Sequence, residues 1–436
     1  MKKFDVVVVG GGSAGVAAAL GAARAGCSTL LLERSLKLGG NVTHALVHSI
    51  CGLFKISDGG KPRLANGGFA LEFARQLVAA GGACGPLRMG RLDVLLQEPA
   101  VFARVCEELT ASESRLTVWR DSPVQSALVR NGRVESVTFG ASGETVEGRV
   151  FVDTSGDASL AKATGAETEC VPGSQLQRPA FIFGISKVAP EALEEVKRLR
   201  LVGALRAAIR EGFLSPALAG AAVRPTYFPE QVRVTLDLDA QGGEYDPSNE
   251  GLLSELHADA CELAREFTGF LRRDIPGFGR AEITEWPARL GIREGARLVG
   301  LSRLSAADVL GGATFPDAVC VSAWPIEMRE TATGPRLRYP ENGHWMEVPL
   351  RALLSKDVSN LWAAGRCLSC THEAHAALRV IGTALATGEA AGLAAAAMAR
   401  EPQWRADAWD ALASRIRSVT GAGVLEEWSW TRGGSV

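Results

Sequence analysis

This 436-residue chain lacks an excess of charge of either sign: 47 Lys and Arg stand against 49 Asp and Glu, a net charge of −2 with histidine neutral. A chain so close to neutrality has no overall field to draw in a phosphate backbone or an anionic lipid surface. A nucleic-acid partner is therefore not expected, and an RNA-modifying role is disfavoured. The densest basic stretch is Lys197, Arg198, Arg200, Arg206 and Arg210. It interleaves with Leu193, Val196, Leu199, Val202, Leu205 and Ile209 at helical spacing, the pattern of a solvated face on an amphipathic helix.

A cysteine framework is also missing. The nine cysteines are odd in number and scattered, and Met-Lys-Lys-Phe runs straight into a strand pattern with no leader ahead of it, so a reducing cytoplasm is the expected setting. Long hydrophobic runs are absent as well. The most apolar stretch, residues 382–399, is dominated by alanine and carries Glu389, so no membrane span is expected. Neither an internal repeat nor a low-complexity linker is evident. What is present is 47% hydrophobic content, at a length that suits two or three packed units.

Residues 5–9 form a continuous apolar run of strand type. Gly10-Gly11-Gly12-Ser13-Ala14-Gly15 follows at once, and 16–25 is an alanine-rich helix former ending at Gly26. A second strand pattern, 28–32, ends on Glu33. A lone G-x-G-x-x-G is weak evidence, but this one has its strand, its helix and its terminal acid in place. Gly10 permits the tight turn, Gly12 lets the backbone approach a pyrophosphate, and Gly15 lets helix and strand pack closely. Free amides at the helix start, at Ser13 and Ala14, face the phosphates, and Glu33 can accept hydrogen bonds from a ribose.

The fingerprint does not separate FAD from NAD; three distant segments do. Arg34 and then Leu38-Gly39-Gly40-Asn41-Val42-Thr43 follow Glu33, a glycine-bearing segment of the kind that leads from ribose toward a flavin ring. Residues 118–151, with Val124 near the start, read as a meander broken at Asn131-Gly132 and at 140–143, closing on Val152-Asp153-Thr154-Ser155-Gly156-Asp157. Last come Asn360-Leu361-Trp362-Ala363-Ala364-Gly365-Arg366-Cys367 and the helix former that opens Val380-Ile381-Gly382-Thr383.

On these residues the chain resembles the bacterial FAD-dependent oxidoreductases whose carboxy-terminal signature reads NL-x-x-AGRC and then LRV-x-x-T-x-x-x-TG-x-AAG. The resemblance extends through Pro276-Gly277-Phe278 and residues 290–300, most of 1–400 in all. It implies an α/β fold, a glutathione-reductase-like FAD-binding Rossmann domain with an inserted α+β substrate domain. It also implies FAD contacts at Gly365 and Arg366, beside the ring and ribityl chain, and at Ile381, Gly382 and Thr383, where the last helix would aim its amino end at the flavin pyrimidine. One segment departs from the pattern. Many members have Asp-x-His after Tyr-Pro-Ile, whereas this chain reads Trp324-Pro325-Ile326-Glu327-Met328-Arg329, so chemistry there cannot be copied from relatives.

These placements predict a discontinuous FAD unit from 1–45, 115–170 and 355–400, a substrate unit from 46–114 and 171–354, and a helical tail, 401–436. Within the substrate unit 232–239 alternates like a half-buried strand and 250–273 like a helix. Four of the nine tryptophans, Trp404, Trp409, Trp428 and Trp430, lie in the tail. Docking onto the body or onto a second copy of the chain is the ordinary reason, a lid the sharper one.

A flavoenzyme needs from its protein a pocket, a charge anchor and often one acid or base. His375 and His372, which the carry-over puts close to the ring, are candidates for general base or substrate donor; the alternative is a histidine that ties a loop to carbonyls. Arg379 and Arg293 are candidates to hold a carboxylate or enolate, because a guanidinium presents a fixed fork. Arg293 could equally pair with Glu294 or another acid. A covalent flavin link at His44, His48 or Cys51 is not indicated, so FAD is expected to be non-covalent. Cys367-x-x-Cys370 with His372 and His375 offers nominal zinc ligands or a dithiol pair. The first Cys, however, coincides with a family position that needs no metal, and none is expected. The function expected is hydride transfer between flavin N5 and a small organic substrate, with an electron partner left open. An oxygen-using oxidase or monooxygenase and a non-catalytic binding protein are the alternatives.

Overall fold

The computed structural model describes residues 2–57, 59–239, 245–331, 333–341, 345–401, 409–423 and 426–428, without the side chains of 195–199. Trp404, Trp430 and the side chains of Lys197 and Arg198 therefore lie outside the described residues.

Strands Leu116–Trp119, Thr29–Leu32, Lys2–Val9 and Glu144–Asp153 lie side by side in that order and run parallel, and Leu361–Ala363 pairs with Glu144–Asp153, also parallel. Val6 to Val9, Leu30 to Leu32, Val150 to Val152 and Leu361 to Ala363 are apolar and buried on both faces, as a sheet covered on both sides requires. The register sets Val9 beside Leu32 and Asp153, and Asp153 beside Ala363. The carboxy ends of these strands thus converge on one edge, where open α/β sheets bind ligands. The expected meander adds Arg133–Phe139 and Val124–Arg130 in antiparallel order.

Helices Ser13–Arg24 and Ile381–Arg400 pack together on this sheet. A Cβ added at Gly388 would lie 2.2 Å from the Ala14 carbonyl oxygen, and one at Gly392 2.1 Å from that of Ala18. The two backbones approach so closely that only small residues fit between them, which accounts for the alanine-rich composition of both helices. By length and composition Ile381–Arg400 passes as long and apolar enough to cross a membrane, but 83% of its apolar window is buried inside the protein.

A second, antiparallel sheet orders Ala222–Pro225, Gln231–Asp237, Ala180–Ser186 and Glu282–Glu285. Alternation turns Val232, Val234 and Leu236, with Phe181, Phe183 and Ile185 of the neighbouring strand, toward Ala260, Ala264, Phe267, Phe270 and Leu271 of the helix Glu250–Asp274. Each fully buried Phe there contributes about 1.5–3 kcal/mol. The same period of two turns Arg233 and Asp237 to the opposite face, and both are buried. Arg233 there reaches Glu98 at 3.3 Å. In the tail, Trp409–Thr420 is helical and Trp428 packs edge-on against Phe54, with centroids 5.6 Å apart.

Candidate functional site

Gly10 has φ +102°, and an added Cβ would lie 2.6 Å from both the Thr154 carbonyl oxygen and the Ser155 Cα. At Gly15 it would meet the Gly10 carbonyl oxygen at 1.7 Å, so no side chain fits. Thr154 locks the turn by donating its hydroxyl to the Val9 and Gly10 carbonyls at 2.9 and 2.8 Å. Gly12 differs from its neighbours, since a Cβ there would meet nothing nearer than Gly40 Cα at 3.9 Å. The helix that starts at Ser13 has neither a side-chain cap nor an acid in its first turn. Unpaired amides with open space before them, bounded by Gly39 and Gly40, fit a diphosphate.

Glu33 is buried at the end of its strand, and its two oxygens accept from the amides of Gly11 and Ser35 at 2.6 and 2.7 Å. These bonds fix the carboxylate while leaving each oxygen a lone pair for a ribose hydroxyl. Arg34 is exposed, 4.0 Å from Asp157. Thr43 donates to the Leu38 carbonyl and shapes the Gly39 bend, while Asn41 donates to the Ile292 carbonyl at 2.8 Å. Arg366 donates to that same carbonyl at 2.7 Å and pairs with Asp157 at 3.3 Å, lying directly over Gly156, where an added Cβ would be 2.3 Å away. Ser155 bonds the Asp153 carboxylate at 2.6 Å, and Gly365 takes φ +64°. Val124 pairs with Phe139 in the meander.

At the start of Ile381–Arg400 the Gly382 amide donates to the Cys51 carbonyl at 2.9 Å, and Thr383 is fully buried beside Ser322. One amide of this helix end is thus engaged by the protein, and the Thr383 side chain addresses the core.

The residues between these two segments come together. Thr371 caps the helix His372–Leu378. His372 Nδ1 lies 2.8 Å from an oxygen of Glu294, itself fully buried and held by Arg297 at 2.7 Å and by the Gln177 amide at 3.2 Å. Burial alone would raise the Glu294 pKa; the His372 hydrogen bond and the charges of His375, His372 and Arg297 outweigh it and bring it to about 2. His375 is fully buried, with Nε2 at 3.2 Å from the Arg366 carbonyl and Nδ1 without a partner among the described residues; burial holds its pKa well below the ordinary value.

Of the two acids left open for Arg293, the partner is Asp237 at 2.6 Å and not its neighbour Glu294. Asp237 also binds Arg329 at 2.8 Å, Arg329 binds Glu327 at 2.7 Å, and the Trp324 indole donates to Glu327 at 2.9 Å. Arg379 donates one Nη to the Glu327 carbonyl at 3.2 Å, and its buried Nε has no partner among the described residues. Sequence reasoning missed Asp237, Glu327 and Arg329 as site residues. The only signals were the departure at 324–329 and the acid that ends an alternating strand.

Cys367 and Cys370 turn to different partners. The first thiol accepts from the Gly156 amide at 3.1 Å, and the second donates to the Leu368 carbonyl at 3.6 Å. Burial pushes the Cys367 thiol well above its ordinary range and Cys370 up to about 12, the reverse of what a thiolate ligand or nucleophile needs. Among the described residues no group of three His, Cys, Asp or Glu is arranged to hold a metal ion. His44 contacts the Lys37 carbonyl at 3.2 Å; burial and then the Arg233 and Arg224 charges lower the His48 pKa to about 3.

Residues 5–406 match the profile of the family described as FAD dependent oxidoreductase. Digeranylgeranylglycerophospholipid reductase 2 of Methanothermobacter thermautotrophicus is 32% identical over 203 residues, taking in 44% of this chain and 50% of that protein, so the chain spans about half the length of this curated relative. Among solved structures, a geranylgeranyl bacteriochlorophyll reductase-like protein of Thermoplasma acidophilum is similar with a TM-score of 0.49 and 13% identity, covering 97% of this chain and 86% of that one. The p-nitrophenol 4-monooxygenase of Pseudomonas putida is similar with a TM-score of 0.45 and 12% identity, covering 100% and 91%. With a family match that runs through the glycine turn, Glu33, Arg366 and the closing helix, the chain belongs to the FAD dependent oxidoreductase family.

Proposed function

We propose that the enzyme passes a hydride between N5 of a non-covalently held FAD and a small organic substrate, with His372 as the group that gives or takes the accompanying proton. FAD, when bound, supplies the redox centre. The amides of Gly12, Ser13 and Ala14 would hold its diphosphate and Glu33 its adenosine ribose. Residues 39–43, Thr154 to Asp157, Gly365 and Arg366 would line the rest, and segments 1–45, 115–170 and 355–400 would make up the unit that carries it.

The observation that supports the role of His372 is its 2.8 Å contact with a fully buried Glu294. An ionised carboxylate only accepts hydrogen bonds, so a hydrogen sits on Nδ1, and Nε2 is the ring nitrogen left to exchange a proton. Arg297 and Gln177 hold Glu294 still, and Glu294 in turn holds the ring. His375, buried against the Arg366 carbonyl, is better suited to fixing the Gly365–Cys367 turn than to meeting substrate.

An anaerobic screen for a reductant that bleaches the flavin tests this reading. With that reductant, His372→Ala is expected to keep its flavin and to slow bleaching by about 10²- to 10⁴-fold, the range of general acid–base catalysis. An unchanged rate would remove His372 from the mechanism.

A further inference from the structure

The part-buried charges on the substrate side of the site are unequal in number. Arg293, Arg329 and Arg379 arrive from three separate segments, and the carboxylates among them are Asp237 and Glu327. Asp237 is shared by Arg293 and Arg329, and Glu327 is bonded by Arg329 and by the Trp324 indole, so both acids are occupied. The neighbouring charges are paired among themselves: Arg178 with Asp239 at 3.0 Å, Arg297 with Glu294 at 2.7 Å, Arg366 with Asp157 at 3.3 Å. Among the described residues three guanidiniums thus stand against two carboxylates, and both carboxylates already accept hydrogen bonds from other side chains.

The guanidinium that no carboxylate of the described residues bonds is Arg379: one Nη donates to the Glu327 backbone carbonyl, and the buried Nε has no acceptor among the described residues. Burial lowers the Arg379 pKa and brings Arg293 down to about 10, against the opposing pull of Glu327 on the first and Asp237 on the second. A part-buried cation with a buried, unused N–H is costly to keep unless an acceptor completes it, and an anion is the strongest acceptor for a guanidinium.

We propose that Arg379 is the anchor for a carboxylate on the substrate, and that Arg293, Arg329, Asp237 and Glu327 form the lattice that holds this anchor in place. The proposal rests on the hydride-transfer reading for its choice of ligand, and it narrows the substrate class to small carboxylic acids. Arg293, expected from sequence as a second anchor, is committed to Asp237 and acts as a positioning residue. An alternative source of the same negative charge is the reduced cofactor, and the experiment separates the two.

Purified FAD-loaded protein is titrated calorimetrically with acetate, butyrate and benzoate, and with the matching neutral amides. At least one acid is expected to bind with unit stoichiometry and about 10- to 100-fold more tightly than its amide, the scale of a charge-assisted hydrogen bond. Arg379→Gln should bring that acid to the level of its amide, and Arg379→Lys should restore part of the difference. Equal binding of acid and amide, or no binding of any acid, overturns the proposal even if no variant folds. So does an Arg379→Gln protein that binds acids unchanged while its flavin midpoint potential falls, since the charge then serves the reduced cofactor. Because no turnover is measured, acid binding that persists in His372→Ala leaves the anchor standing if the proton-transfer role fails, and the reverse outcome is equally readable.

Discussion

At the glycine turn the groups that face the ligand are backbone amides, and the side chains are excluded: Gly10 and Gly15 have no room for a Cβ, and Gly12 opens on free space. On the polar face of the four-stranded sheet the opposite holds. There the backbone is consumed in strand pairing, and the chemistry is presented by long charged side chains, Arg233 and Asp237 among them, buried and tied to partners far away in sequence. A backbone site depends on local conformation and tolerates little change in shape. A side-chain lattice depends on charge balance and tolerates little change in charge. The first region suits a cofactor that is always the same, the second a substrate that sets one enzyme apart from its relatives.

The largest expected effect comes from unbalancing the lattice. Asp237→Asn leaves Arg293 and Arg329 without their shared acid, and removing one partner of a buried pair typically costs about 3–5 kcal/mol. Urea unfolding of the variant should show a loss of that order. A loss below about 1 kcal/mol would mean that the lattice is not held together by its charges.

Glu33→Ala sharpens the other side. It removes the acceptor of the Gly11 and Ser35 amides together with the ribose partner, and one charge-assisted bond is worth about 1.5–3 kcal/mol. The FAD dissociation constant should rise by about 10- to 150-fold, read by flavin fluorescence; unchanged affinity would show that the strand end does not meet the cofactor.

The smallest effect is one of pH. Glu389, in the seam between the two packed helices, accepts the Phe69 amide at 2.9 Å, and burial raises its pKa to about 7 from 4.5. Protonation therefore favours the folded state. The contribution is complete below about pH 4.5 and is lost as the pH rises through about 7, because only the unfolded chain ionises freely in that window. Glu389→Gln cannot ionise, so it should match wild type near pH 4 and already exceed it by on the order of 2 kcal/mol near pH 6. A difference that does not change with pH would contradict the buried, protonated carboxyl.

The two regions also differ in how far they could be read beforehand. Residues 5–33 carry their own instructions, with an apolar run, three glycines at fixed spacing, an alanine-rich helix and a terminal acid, all local in sequence. The lattice does not. Arg293 and Glu294 are adjacent, yet the first turns to Asp237 while the second turns to Arg297 and His372, a choice that depends on which way each side chain leaves the backbone. Thr383 was legible as a helix start but not as a residue facing Ser322. Cys367 and Cys370 have metal-ligand spacing, yet their thiols turn to separate partners, the Gly156 amide and the Leu368 carbonyl.

The most direct test of this division of labour compares wild type, Glu33→Ala and His372→Ala for two quantities measured on the same samples: FAD bound per chain, and the anaerobic rate of flavin bleaching per FAD bound. Glu33→Ala is expected to lower the first and leave the second unchanged, and His372→Ala to do the reverse. If either variant moves both quantities together, cofactor holding and proton transfer are not carried by separate parts of the molecule.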